Sequence, residues 1–266
     1  MSNCWKIMGN DSSKTKSGGS SDGTGYFKSS SSVVQKHMET AKKSRVLQLK
    51  AVGLKKIPST VEEVADILRN LDLAHNKIRE IPIFIGAFSS LKQLHLSENL
   101  IEELPDELGC LKKLEVLNVS NNKLHSLPET IVACSALSRI ELANNNFTVF
   151  PVALCLLQSL DVLDLSSNKI ETLPDQIGEL KASELILNQN RLRALNDNLM
   201  NCARLKILRV QENCLSADNF SDALLRNSTI SLINFEGNMF QESEFQRLPG
   251  YEAYQDRFTA IKKKGI

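Results

Sequence analysis

The sequence predicts an α/β solenoid, a curved horseshoe of about nine short coils that share one parallel sheet on the concave side. Three observations carry this. The pattern Leu-x-Leu-x-x-Asn-x-apolar recurs with its Asn at Asn76, Asn99, Asn122, Asn145, Asn168, Asn190, Asn213 and Asn238, in steps of 23, 23, 23, 23, 22, 23 and 25. Prolines keep the same clock at Pro58, Pro82, Pro105, Pro128, Pro151 and Pro174, so six of the seven share one repeat position. All 39 Leu avoid residues 1–40 and 249–266, which sets a leucine-rich body between two different ends.

Along the chain the elements follow in order. Residues 1–32 read as a disordered, basic arm: residues 11–32 hold 9 Ser and 4 Gly but no Leu, and such composition cannot offset the entropy of ordering. Residues 33–44 carry Val33, Val34, Met38 and Ala41 at helical spacing and read as a helical cap, because a terminal coil would otherwise expose its leucines. Residues 45–241 are the solenoid. Its first copy is degenerate, Leu47-Gln48-Leu49 with Val52 where Asn belongs. In each copy Leu-x-Leu has period 2, so both leucines face the core and the residue between faces out. The proline cannot continue a ladder and marks the start of the convex-side segment. The repeated Asn carries two donors and an acceptor. At a buried turn it is expected to satisfy backbone groups of its own coil and the next, as one rung of a structural ladder. Residues 242–266 form a second cap. Phe245, Leu248, Tyr251, Tyr254, Phe258 and Ile261 lie three or four apart, one face of an amphipathic helix with Pro249 in its first turn. Lys262, Lys263 and Lys264 suit its C-terminus.

This is the leucine-rich-repeat pattern. The Leu-Pro and Ile-Gly signatures, as in Leu173-Pro174-Asp175-Gln176-Ile177-Gly178, resemble the intracellular Ras-regulator class of such proteins. The run His37-Met38-Glu39-Thr40-Ala41-Lys42, the repeats, and Gly250-Tyr251 through Tyr254 to Arg257-Phe258-Thr259-Ala260 and the lysines resemble the family of leucine-rich repeat-containing protein fifty-seven, over roughly residues 33–266. Its members often begin Met-Gly-Asn, matched here by Met8-Gly9-Asn10. The chain departs from them in its seven residues before Met8 and its longer Ser/Gly arm. The resemblance implies no catalytic residue and no particular partner.

Met8-Gly9-Asn10-Asp11-Ser12-Ser13 also fits the myristoylation pattern, with Gly9 the acylated residue if translation starts at Met8. The formal charge of +1 conceals a division: eight basic and three acidic residues give residues 1–45 a net +5, leaving −4 on the rest. One acyl chain holds a membrane weakly, and basic residues near an anionic surface add to it. An anionic membrane is therefore a candidate contact of the arm, whereas the neutral total argues against nucleic acid. No run of 18 apolar residues spans a bilayer, and residues 1–8 lack a secretory apolar stretch, so the expected location is cytoplasmic.

Enzyme chemistry is not apparent. His37, His75, His95 and His125 form no set with a nucleophile, there is no phosphate-binding glycine loop, and neither cofactor nor metal is expected. Cys110, Cys134, Cys155 and Cys202 fall among apolar residues and read as small buried hydrophobes of a reducing compartment. The informative surface is the outward side of the strands. One column is read as Val116, Val162, Ile186, Ile207 and Leu232, with Arg139 beside it; a central column holds Asp72, His95, Asn118, Glu141, Asp164 and Arg209; a third is small in the middle repeats, with Ser97, Ser120, Ala143 and Ser166. A mixed apolar and charged strip on an extended concave face suits a protein partner. The expected function is a monomeric, non-enzymatic scaffold or adaptor in intracellular signalling, and the alternative a regulatory or targeting subunit of a phosphatase or ubiquitin ligase.

Overall fold

The computed structural model describes residues 30–263. Helix α1, Ser30–Ser44, buries Val34, Met38 and Ala41, spaced one and two turns apart, against the first coil. Arg45, in left-handed backbone at φ 62°, turns the chain into the sheet. Nine three-residue strands follow: β1 Val46–Gln48, β2 Asn70–Asp72, β3 Gln93–His95, β4 Val116–Asn118, β5 Arg139–Glu141, β6 Val162–Asp164, β7 Glu184–Ile186, β8 Ile207–Arg209 and β9 Leu232–Asn234. They form one parallel sheet in sequence order, as expected when each coil contacts only its neighbours.

The middle residue of every strand is buried, from Leu47 and Leu71 through Ile140 to Ile233, as is the apolar residue two places on, from Leu49 to Val210. The flanking strand residues are largely half-buried and face away from the core. Register corrects one expected placement. Val162 pairs with Glu184, and Asp164 with Ile186. Ile186 therefore stands in the central column, and Glu184 takes the place expected for it. The repeat itself gives the reason: in Leu185-Ile186-Leu187 the residue between the two core leucines is the central one, and the 22-residue step alters only the spacing from Val162 to Glu184.

Each coil leaves its strand through a left-handed residue just before the repeated Asn. His75, Glu98, Asn121, Asn144, Ser167, Gln189 and Glu212 have φ between 51° and 57°. Only Asn121 and Asn144 are of a type that visits this region readily. The Asn side chains account for the turn. Asn122 Nδ2 donates to the carbonyls of Val119 at 3.0 Å and Leu96 at 2.9 Å, while its Oδ1 accepts from Ile101 N at 3.0 Å. Asn99, Asn145, Asn168, Asn190 and Asn213 repeat the set in their own coils. Asn76 and Asn238 do the same at the two ends. The rung thus reaches back to the preceding coil rather than forward to the next, because the end-of-strand carbonyl of one coil, such as Leu96 O, points at the Asn of the following one.

On the far side, short 3-10 helices replace strand: Ser59–Val64, Ile83–Ala87, Asp106–Cys110, Glu129–Ala133, Val152–Leu156 and Asp175–Glu179, each with one of the six clocked prolines at its N-cap. At Asp197–Asn201 Asn196 holds the cap instead, and its side chain accepts from Asn198 N at 2.9 Å. The 25-residue step makes room for a true helix, α2 Asp222–Asn227, in the last full coil.

The C-terminal cap is two helices, α3 Glu242–Phe245 and α4 Tyr251–Lys262, rather than one. Pro249 lies outside both, and Gly250 at φ 83° makes the bend between them. A side chain there would meet Asp222 O at 3.0 Å, so the bend lets α4 pack on α2. The aromatic stripe holds nonetheless: Phe245, Tyr251, Tyr254 and Phe258 join Phe220, Phe235 and Phe240 in one cluster. Among the described residues no helix is long and apolar enough to cross a membrane.

Cys134, Cys155 and Cys202 are buried, but Cys110 is exposed, as is Cys214. The 3-10 period of three explains the difference: Leu108 and Leu111 point inward and Cys110 falls between them. Cys134 and Cys202 hold in their coils the place Leu111 holds in its own. Cys4, Met8, Gly9 and residues 1–29 of the basic arm lie outside the described residues, whereas residues 30–32, expected in the arm, open α1.

Candidate functional site

The sheet's open face is built by the outward strand positions, two columns across nine strands. The first column runs Val46, Asn70, Gln93, Val116, Arg139, Val162, Glu184, Ile207, Leu232; the central one runs Gln48, Asp72, His95, Asn118, Glu141, Asp164, Ile186, Arg209, Asn234. All the residues expected to bind therefore share one face. Every one is half-buried except Arg139, which is exposed.

The central column is partly occupied by its own backbone. In alternate coils Asp72, Asn118 and Asp164 turn Oδ1 onto the N–H two residues on, at Ala74, Ser120 and Ser166. These outward N–H groups have no place in the sheet ladder, and a short Asx side chain satisfies them. The spare oxygen of each carboxylate remains available to a partner. Arg139 Nε meets Glu141 Oε1 at 2.6 Å, and the other oxygen of Glu141 accepts from Asn118 Nδ2. Arg209 Nε meets Glu184 Oε1 at 2.7 Å, and its Nη1 donates to Asn234 Oδ1 at 3.0 Å. Two charge pairs are thereby fixed on either side of Val162, Asp164 and Ile186. Asp164 itself takes part in no ion pair among the described residues. Between two neutralised pairs sits one carboxylate flanked by aliphatic carbon.

Sequence reasoning found the columns but not this division of labour. Glu184 and Asn234 were absent from the expected set; what marks them is their pairing with Arg209, which needs register rather than pattern. Among the described residues no three His, Cys, Asp or Glu side chains gather as metal ligands. The buried thiols carry no activation. Burial pushes Cys134 and Cys202 up to about 11, and Cys155 to about 12, the reverse of a nucleophilic cysteine.

A nine-stranded parallel sheet with an asparagine rung in every coil after the first defines the leucine-rich-repeat solenoid. Residues 66–124 and 112–170 match the family model for the leucine rich repeat, and the chain has the leucine-rich-repeat solenoid fold. Solved structures agree. A leucine-rich-repeat protein of Leptospira interrogans superposes with TM-score 0.68 at 26% identity, over 81% of this chain and 62% of that one. An internalin of Listeria monocytogenes gives 0.63 at 18% identity, over 76% and 59%. The structure of PEPR1–AtPEP1 gives 0.59 at 26% identity, over 70% and 27%. The chain thus spans about three fifths of the length of the first two.

Proposed function

We propose that the chain is a non-enzymatic scaffold or adaptor that binds a protein partner on the open face of its sheet, centred on Val162, Asp164 and Ile186. Solenoids of this class offer extended surfaces made of neighbouring coils, and PEPR1–AtPEP1 is named as a pair. The observation that carries the reading is the fixed frame around Asp164: Arg139–Glu141 and Glu184–Arg209 are already paired, so the unpaired carboxylate and the half-buried aliphatics beside it are what remains for a partner. A segment presenting a cation beside apolar side chains fits this centre.

The test is capture of cellular proteins on the wild-type chain, Asp164→Lys with Ile186→Glu, and Glu129→Lys on the opposite side. Loss of the same partners from the first variant only is the expected result. Retention of every partner by it removes the open face as the binding site. Reversal of Glu141 or Arg209 is a poorer probe, because it also breaks a pair within the sheet.

The same reading places the protein in the cytoplasm, as a monomer, with an anionic membrane as a second contact. Its support is the Met8-Gly9 motif and the basic composition of residues 1–45. Intact-mass analysis of the cellular N-terminus should show myristoyl-Gly9, and an acetylated Ser2 terminus alone would remove the acyl anchor.

A further inference from the structure

The residue immediately before each strand forms a further column on one rim of the solenoid. Arg45, Arg69 and Lys92 occupy it in the first three coils; Glu115, Ser138, Asp161 and Ser183 follow. The backbone holds the three cations in step. Arg45 O accepts from Arg69 N at 2.9 Å, and Arg69 O from Lys92 N at 2.7 Å. These side chains, with Lys113, Ser90 and Ile67, line a hollow of about 230 Å³ whose one carboxylate is Asp66. Lys92 is paired with Glu115 at 2.6 Å. Arg45, Arg69 and Lys113 take part in no ion pair among the described residues. Lys42 and Lys43 end α1 just before Arg45.

Arg45, Arg69 and Lys113 are exposed, which screens their mutual repulsion, but against the single carboxylate of Asp66 they leave the hollow net positive and open to an anion. The hollow is of a size for a phosphate group, and two guanidinium forks with a lysine and a serine hydroxyl are the donors such a group takes. We infer that this rim binds the phosphate of an anionic lipid headgroup, setting the first three coils against the membrane. The lipid source, rather than a soluble phosphate, follows from position. The rim is continuous with Lys42 and Lys43 in the last turn of α1, the helix through which the basic N-terminal residues connect to the solenoid, and it stands apart from the proposed protein-binding centre at Asp164. The open face then remains free for a protein while the rim meets the bilayer. The inference rests on the reading that the chain meets a membrane, but not on acylation of Gly9.

Sedimentation of unacylated full chain with vesicles of phosphatidylcholine alone, with added phosphatidylserine, and with added phosphatidylinositol bisphosphate tests it. Binding to the bisphosphate vesicles above the serine vesicles, weakened at least about tenfold by Arg69→Glu with Lys113→Glu, is the expected result. Lys206→Glu, at the same column position in the eighth coil, should leave binding unchanged. All three residues are exposed, and an unchanged thermal unfolding curve for each variant shows that the fold is kept. Binding lost on deletion of residues 1–28 but indifferent to the rim variant overturns the rim and keeps the membrane reading. No binding to any vesicle overturns both for the unacylated chain. Equal competition by free inositol phosphate and by a phosphopeptide, with no preference for vesicles, overturns the lipid source.

Discussion

At the residue scale the repeated asparagine decides most. Asn145 is tied by its Oδ1 to Leu124 N at 2.9 Å and by its Nδ2 to Val119 O and Leu142 O, both at 3.0 Å. A leucine there would match the surrounding core in polarity and still leave those groups without partners. Each stranded buried group costs roughly 1–3 kcal/mol. Asn145→Leu should therefore lower unfolding stability by about 3 kcal/mol or more in urea titration; a loss below about 1 kcal/mol would mean water replaces the amide. The buried thiols make a second residue-scale prediction. Cys134, Cys155 and Cys202 are held protonated by burial, at about 11, 12 and 11. Native protein at pH 8 should be alkylated at Cys110 and Cys214 and not at these three, as read by peptide mapping. Their folded pKa values lie above that of the unfolded thiol, near 9. The stability they contribute is thus complete below pH 9 and lost as pH rises toward 11 to 12. Cys155→Ala should flatten that alkaline decline.

At the scale of the element, the convex 3-10 helices stack through their smallest residues. An added Cβ on Gly109 would come within 2.5 Å of Thr130 O and 2.7 Å of Thr130 Cβ in the next coil, whereas on Gly86 the nearest atom, Glu107 Cβ, is 3.1 Å away. Neither glycine needs a left-handed backbone, so the difference is steric. Gly109→Ala should cost about 1–3 kcal/mol and Gly86→Ala less than about 1 kcal/mol, measured as the shift in denaturation midpoint; equal costs would show that the coils slide apart freely. This contrast also marks what sequence could foresee. Ile85-Gly86 and Leu108-Gly109 look alike in the pattern, and only the approach of the next coil separates them. Strand, rung and proline positions were legible because each repeats its own chemistry every 23 residues or so. Legibility is weaker at single positions: Ile186, between the core residues Leu185 and Leu187, belongs to the central column rather than the first, and the 3-10 period, unread in the pattern, exposed Cys110 where burial was expected. The single cap helix failed at Pro249-Gly250 for a related reason, since helical spacing of aromatics persists across a bend that packing on α2 imposes. In the candidate site the outward columns were legible, but the pairs Arg139–Glu141 and Glu184–Arg209 depend on side-chain reach within and across strands, which a repeat pattern does not record.

At the scale of the whole molecule, each coil packs its core against its neighbours, with Arg204–Asp161 reaching across two coils, so stability is carried along the solenoid from coil to coil and depends on how its ends are closed. The C-terminal closure is specific. Ile233 N donates to the Tyr254 hydroxyl at 3.1 Å, which stands in for a tenth strand at the edge of β9. Arg257 donates to Leu225 O at 2.5 Å and Ile230 O at 2.8 Å, satisfying carbonyls at the end of α2 and before β9. Burial pulls the Arg257 pKa down, the cost of placing a cation there, so its removal strands backbone while relieving desolvation. Tyr254→Phe should cost about 1–3 kcal/mol, because it keeps the packing but leaves the buried Ile233 N–H without its acceptor. Deletion of residues 242–266 is a different matter, because it uncovers Phe220, Phe235 and Phe240 together. In a one-dimensional stack that damage should fade with distance. Amide exchange in the deleted chain should quicken most in β8 and β9, less in β6, and little in β3, eight coils being enough to hold the far end. Uniform loss of protection from β2 to β9 would instead make the solenoid one cooperative unit, and the open face would then be only as durable as its last coil.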